Sequence, residues 1–231
     1  MTLPRVTVYN EVTVDGKIEG FSGDGGRYYR RGFGLDYDAI MMGSVTAQSF
    51  GPAESEDELT GPGPTVEAVP PPPGFETLVQ QRRPTLVVVD GSGTVRNWRH
   101  AQAQPWYERY VSLVGDHTPR EHVEHLRRRD VEVVSAGSRR VDLPGALEQL
   151  RRRHGITSVR TDTGGNLTGA LLAAGLVDEL VLLVAPKLSS RHRARSLVEL
   201  PHGLPGSVDL ALTDLERLED DTLWLRYEVR R

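Results

Sequence analysis

The stretch that most restricts how this chain can fold is "TDTGGNLTGALLAAGLVDELVLLVAPKL", residues 161–188. It reads as a strand end, two adjacent glycines, an apolar helix and a second strand. Leu167, Leu171, Leu172 and Leu176 fall on one helical face, and "ELVLLVA" at 179–185 is an unbroken apolar run of strand length. A strand, a crossover helix and another strand belong to a parallel sheet with helices packed on it. Gly164 and Gly165, at the strand-to-helix turn, leave backbone N–H groups and the positive end of the helix dipole open to an anion.

The rest of the chain repeats the theme. Residues 5–14 carry Val6, Val8, Val12 and Val14 at period two, with Asn10 on the same face, where an amide either braces the backbone or lines a pocket. "DAIMM" at 38–42 is a second buried strand, with a short helix from Ser44 to Phe50. Residues 51–83 hold the acidic run "AESEDEL", then "GPGP" and Pro70–Pro73, and read as a long loop within one domain rather than a linker, because neither flank has enough strands to close a sheet. Strands follow at 85–90, 110–114, 131–134 and 156–161. Helices are expected at 119–129, capped by Thr118, and at 144–154, with Pro144 in its first turn and Gly155 past its end. The C-terminus reads as a hairpin turning at "EDD". The expectation is a single α/β domain over 1–231, a mainly parallel sheet with an antiparallel C-terminal edge.

Composition narrows the chemistry. The 231 residues include no cysteine, which excludes disulfides, thiolate nucleophiles and Cys-ligated metal centres. A net charge of −4, with arginine runs interleaved with acids, speaks against a nucleic-acid partner. With no membrane span and no signal peptide, a cytoplasmic protein is expected. "MMGSVT" at 41–46 and "DTGGNLTGALL" at 162–172 both run a strand into a small-residue turn and helix, which suits a pyrophosphate, and "VVVDGSG" at 87–93 suits an adenosine ribose or its phosphate. Each is also a common tight turn, and three together argue better than one. "GSGTVR" lacks the third glycine of a dinucleotide fingerprint. "GDGGRYYRRGFG" at 23–34 is a mobile substrate loop or a surface turn, and His122 with His125 on a helix reads as a solvated polar face rather than a metal pair. Asp15, Lys17 and Asp162 are charged groups at strand or turn ends, open to acid/base or substrate-holding work or to solvation alone.

Three segments resemble the riboflavin-pathway pyrimidine reductases: "TVDGKIEG" their "SLDGKIA" turn, "DAIMMGSVT" their "DAILVGSGTV", and "DTGGNLTGALLAAGLVDELVLLVAPKL" their "EGGGTLNGALLRAGLVDE…IAPKL" stretch. The resemblance spans nearly the whole chain in order. It implies a dihydrofolate-reductase-like three-layer α/β/α fold, a homodimer, and NADPH as cofactor. Gly164, Gly165, Asn166, Leu167, Thr168 and Gly169 would then lie against the pyrophosphate, with Gly43, Ser44 and Thr46 on its other side. Gly91 and Ser92 would contact the adenosine end, with Arg96 or Arg99 near a 2′-phosphate, and Glu11 and Val12 would approach the nicotinamide. Lys17 matches a basic turn residue, and Asp162 matches the glutamate that holds the pyrimidine. The implied reaction is hydride transfer from NADPH to a ring-opened ribosylamino C=N, as in 5-amino-6-(5-phosphoribosylamino)uracil reduction. The sequence departs from the pattern after "GSVT": Phe50 stands at an aspartate position, no arginine follows until Arg82, and an acidic run that would repel a phosphate intervenes. A reductase of a different heterocyclic or imine substrate, or a nucleotide-sensing module without turnover, are the alternatives.

Overall fold

The computed structural model describes residues 2–61 and 65–230. In chain order the elements are β1 (Arg5–Thr13), α1 (Gly25–Phe33), β2 (Ala39–Gly43), α2 (Ser44–Ala47), α3 (Glu56–Thr60), α4 (Glu76–Gln81), β3 (Thr85–Val89), α5 (Trp98–Gln102), β4 (Arg109–Val114), α6 (Arg120–Arg128), β5 (Glu132–Ser135), α7 (Leu143–His154), β6 (Ser158–Thr161), α8 (Asn166–Ala173), β7 (Glu179–Ala185), β8 (Leu210–Arg217) and β9 (Leu223–Val229). They fall into two compact units: one is Tyr37–Thr157 with the residues before Arg5, the other Arg5–Asp36 with the chain from Ser158 onward.

The first unit holds four parallel strands in the order β5-β4-β3-β2, in register through Ile40↔Leu86, Val87↔Val111 and Leu113↔Val134. Met41, Leu86, Val87, Val88, Val111 and Leu113 are fully buried, which is why these strands read as unbroken apolar runs. Helix α7 buries Leu143, Ala146, Leu147 and Leu150, carries Pro144 in its first turn and ends on Gly155 at φ 68°, so its predicted boundaries and both signals hold. Helix α6 has Pro119, not Thr118, at its N-cap; the Thr118 hydroxyl instead accepts from Gly115 N (3.1 Å) and donates to Gly91 O (2.8 Å).

The expected loop over 51–83 is docked on this unit. Ser55 and Glu58 form a reciprocal capping box that starts α3 inside the acidic run. Val69 N donates to Ala103 O (2.8 Å), and the buried Phe75 meets Trp106 edge-on. Of "GPGP", only Gly61 lies among the described residues.

The second unit has the order β6-β1-β7-β9-β8, with β1 parallel to β6 and β7 and the C-terminal pair antiparallel. The mainly parallel sheet with an antiparallel C-terminal edge is therefore as expected. Strand β1 is buried on both faces, not on its valine face alone: Thr7, Tyr9, Glu11 and Thr13 are as covered as Val6, Val8 and Val12, and Val14 lies beyond the strand, 66% exposed. Flanking strands close its edges, and α1 covers the odd-numbered side, stacking Tyr28 on Tyr9 with centroids 4.6 Å apart. The glycine-rich "GDGGRYYRRGFG" is thus a packed helix, neither mobile loop nor surface turn; Asp24 caps it by accepting from Arg27 N (3.0 Å).

Candidate active site

The loop that opens α8 is built for close approach. Gly165 takes φ 63°, ψ −123°, a region open in practice to glycine alone. A Cβ on Gly164 would run into Ile18 Cδ1, and one on Gly169 would lie 2.7 Å from Glu199 O. The space these glycines leave is therefore taken by the chain itself, first by Ile18 and then by the segment 196–200. That segment straps the loop: Gly165 N donates to Ser196 O (3.0 Å) and Leu197 O (2.9 Å), and Glu199 N donates to Gly165 O (3.1 Å). No side chain caps α8, and Asn166 in its first turn is exposed while Gly164 and Leu167 are half-buried. Thr168 is fully buried and gives its hydroxyl to Thr163 O (2.7 Å), bracing the loop from within. The Gly165 N–H expected to lie open to an anion is thus engaged by the strap, while the start of α8 has no side-chain cap and an exposed first residue.

Lys17 belongs to the same cluster: its Nζ donates to Ser196 Oγ (2.8 Å), and its backbone N to Thr13 Oγ1 (2.9 Å). Asp15 is an exposed turn residue that accepts from Ser189 N (3.1 Å). Asp162 accepts from Arg160 through both carboxylate oxygens, at 2.6 and 2.7 Å, and its carbonyl oxygen takes a long bond from Asn10 Nδ2 (3.4 Å). Asn10 thus braces backbone. Glu11 is buried beneath the Gly23 turn and meets Arg27 Nη2 at 3.4 Å; burial pushes its carboxyl up, against the opposing pull of Arg27. Val12 is buried on the opposite face of β1. Loop 162–169, Lys17 and Asp162 are therefore neighbours through the fold of one unit. A separate cavity of about 680 Å³ in this unit is lined by Arg27, Arg31, Arg217, Glu216 and Asp220 and not by that loop. Its lining is ion-paired within itself, Arg27 to Asp220 (2.7 Å) and Arg31 to Glu216 (2.8 Å).

The first unit presents the remaining predicted residues. Gly43, Ser44 and Thr46 are half-buried at the start of α2; the helix expected from Ser44 to Phe50 is one α turn of four residues continued by a 3-10 turn over Gln48–Phe50, so it offers backbone N–H groups without a developed helix dipole. At the end of β3, Asp90 is buried and fully used: it accepts from Thr94 N (2.9 Å), Thr94 Oγ1 (3.1 Å) and Val95 N (2.8 Å) and faces His122 Nε2 at 3.2 Å. Those contacts outweigh burial and hold its carboxyl below the usual range. Gly91 is half-buried and Ser92 exposed beside it.

Two expectations fail here. His122 and His125 are buried, not a solvated face, because the helix turns them inward onto Asp90 and the acidic segment. No group of three or more potential metal ligands occurs among the described residues. The acidic run is also no open repulsive surface. Glu54 accepts from Arg129 Nε (2.8 Å) and Nη2 (2.6 Å), Glu58 from Arg99 (2.7 Å) and Glu56 from Arg96 (3.2 Å). Sequence reasoning missed the partners of Arg160 and Arg129, since neither one arginine in a strand nor the last of the run 127–129 carries a local signal of what it pairs with.

Residues 4–224 match the family model described as the RibD C-terminal domain. The chain belongs to that family. The 2,5-diamino-6-ribosylamino-4(3H)-pyrimidinone 5′-phosphate reductase of Methanothermobacter thermautotrophicus is 33% identical over 220 residues, 93% of this chain and 92% of that protein. The riboflavin biosynthesis protein RibD of Escherichia coli is also 33% identical, over 120 residues that make up 52% of this chain and 31% of the longer relative. In fold, the chain is similar to a pyrimidine reductase-like protein of Corynebacterium diphtheriae, with TM-score 0.69 at 18% identity, covering 99% of this chain and 92% of the other. The riboflavin biosynthesis reductase Rib7 of Saccharomyces cerevisiae gives 0.64 at 14% identity, over 99% and 90%. Membership of the RibD C-terminal domain family carries the dihydrofolate-reductase-like α/β fold that the resemblance implied. Asp162 stands just past the end of β6, and Arg160, two residues before it, lies in that strand.

Proposed function

We infer that this chain is an oxidoreductase that reduces a ribosylaminopyrimidine phosphate of riboflavin biosynthesis, taking its hydride from NADPH. The observation that carries the reading is the strapped Asp162–Gly165 loop with the uncapped start of α8 behind it, in a chain alignable over 93% of its length with a pyrimidinone phosphate reductase. Gly164, Gly165, Asn166, Leu167, Thr168 and Gly169, with Gly43, Ser44 and Thr46, are the residues proposed to hold the pyrophosphate. Gly91 and Ser92 are proposed for the adenosine end, and Glu11 and Val12 for the nicotinamide end. When bound, the nicotinamide supplies a hydride to carbon, and a proton completes the amine at nitrogen. The chain's own contribution is alignment and exclusion of water. Asp162 is proposed to accept from the pyrimidine N–H groups, and Lys17 to place its cation beside the loop.

For a 2′-phosphate, Arg96 is the candidate, because its partner Glu56 is 89% exposed and the pair is weak enough to be exchanged. The docked acidic segment favours a second reading, a reductase of a different imine substrate: Arg99 and Arg129 are already engaged by Glu58 and Glu54. Homodimerisation is proposed on family grounds, and light scattering tests it. Among the described residues no helix is long and apolar enough to cross a membrane.

The deciding assay follows loss of NADPH absorbance with the diamino and the uracil ribosylaminopyrimidine phosphates, beside thermal shifts with NADPH and NADH. Turnover of either pyrimidine with ligand-dependent stabilisation is expected. Stabilisation without turnover would point to the second reading, and no stabilisation by either nucleotide would remove the reductase assignment.

A further inference from the structure

Arg160 is an unusual resident of a strand interior. It is among the largest fully enclosed side chains of the protein, 2% exposed, in β6 between the equally buried Val159 and Thr161. Its Nε and Nη2 meet the two oxygens of Asp162 side by side, at 2.6 and 2.7 Å, the forked geometry in which a guanidinium fixes both position and plane of a carboxylate. The guanidinium is itself held. It lies over the Tyr9 ring, 5.4 Å from the centroid. Tyr9 in turn is stacked on Tyr28 and tied by its hydroxyl to Tyr28 O at 2.6 Å. Helix α1 makes room for both groups at one residue, Gly32, where a Cβ would fall 2.8 Å from Tyr9 Cε1 and 2.9 Å from Arg160 Nη1. The carboxylate that the guanidinium holds is less buried than its partner, its side chain 15% exposed.

We propose that Arg160 is a positioning residue: it presets the Asp162 carboxylate in one plane, so that the lone pairs not used by the guanidinium meet the adjacent N–H donors of the pyrimidine. This rests on the reading of Asp162 as the substrate-holding carboxylate. An aspartate is one methylene shorter than the family's glutamate. In this chain the reach lost is matched by rigidity gained, because a carboxylate that cannot rotate loses no rotamer freedom on binding. Ligands that turn carbonyl oxygens rather than N–H groups toward Asp162 are refused, since the site presents acceptors only.

The test measures kcat and KM for the ribosylaminopyrimidine phosphate, the NADPH dissociation constant by fluorescence, and melting, for Asp162→Asn, Arg160→Lys and Gly32→Ala. Asp162→Asn removes a charge-assisted contact and is expected to raise KM about 10- to 100-fold. Arg160→Lys keeps the charge but loses the fork, and is expected to raise KM roughly three- to tenfold, with kcat and the NADPH constant within twofold of wild type. Gly32→Ala presses on the guanidinium without altering any charge, and is expected to raise KM in the same sense; it decides the question if Arg160→Lys does not fold. A combined Arg160→Lys, Asp162→Asn variant is expected to bind no worse than Asp162→Asn alone. If Asp162→Asn raises KM while Arg160→Lys and Gly32→Ala change only melting, Arg160 is a structural ion and the positioning role is overturned with the Asp162 reading intact. If Asp162→Asn leaves KM unchanged, the reading itself falls and the positioning role falls with it.

Discussion

Replacing Glu54 by alanine should unfold far more of this protein's margin than its place in an acidic run suggests. The Glu54 side chain is 1% exposed and that of Arg129 5% exposed, joined through two hydrogen bonds at 2.8 and 2.6 Å. Arg99 Nε stands 3.6 Å away on the same carboxylate. Removing the carboxylate leaves one buried guanidinium uncompensated and a second close by, a change that costs about 3–5 kcal/mol when a buried pair is broken from one side. Arg129 keeps Gly61 O (3.1 Å) and Glu58 O as acceptors, which places the expected loss near the lower end, about 3 kcal/mol. For a chain of this size that is roughly 6–12 °C in melting temperature. Glu56, two residues on, is the control: it is 89% exposed and pairs with an Arg96 that is 42% exposed, so its alanine variant should stay within about 0.5 kcal/mol of wild type. Replacing Glu54 and Arg129 together by leucine should cost less than Glu54→Ala alone, because no buried charge is then left without its partner. Thermal and urea denaturation followed by circular dichroism reads all three. Equal melting of the Glu54→Ala and Glu56→Ala variants would refute the account of how the acidic segment is held.

Other outcomes follow from the same structure. Gly164→Ala should destabilise by about 1–3 kcal/mol through overpacking on Ile18, and Ile18→Ala in the same chain should restore part of that loss; loss of nucleotide binding with unchanged melting would show that a ligand, not Ile18, demands the glycine. Glu58 should titrate at about 2 rather than 4.5, held down first by Ser55 N and then by Arg99; its contribution to stability is present above about pH 4.5 and is lost as pH falls toward 2, and carboxyl NMR shifts unchanged from a model peptide would contradict it. Gly165→Ala should cost more than 1 kcal/mol because its φ of 63° and ψ of −123° suit glycine alone; proteolysis or melting that matches wild type would count against that geometry.

Much of this molecule is written locally. The strand and helix boundaries of α7 and β7 could be read from Pro144, Gly155 and an uninterrupted apolar run, because caps and periodicity act within a few residues. The meaning of "DTGG" was half legible. Backbone conformation at Gly165 follows from the residue type, but that Ile18 and Glu199 fill the space beside Gly164 and Gly169 depends on segments far along the chain. The burial of Thr7, Tyr9 and Glu11 was hidden for the same reason, since alternation in β1 reports one covered face and cannot report that flanking strands and α1 cover the other. The acidic run read as a charge that would repel a phosphate, and Arg129, which neutralises its Glu54, lies 75 residues away.

By itself, then, the sequence determined the alternation of strands and helices, the antiparallel C-terminal edge and the position of the loop that opens α8, since propensity, capping and hydrophobic period are properties of neighbours in the chain. Only the tertiary structure decided which charges are paired, and with which partners. Asp162 is held by Arg160, Glu54 is consumed by Arg129 and His122 is turned onto Asp90. Coulombic and hydrogen-bond energies depend on distances through space, and burial sets the dielectric that gives them weight.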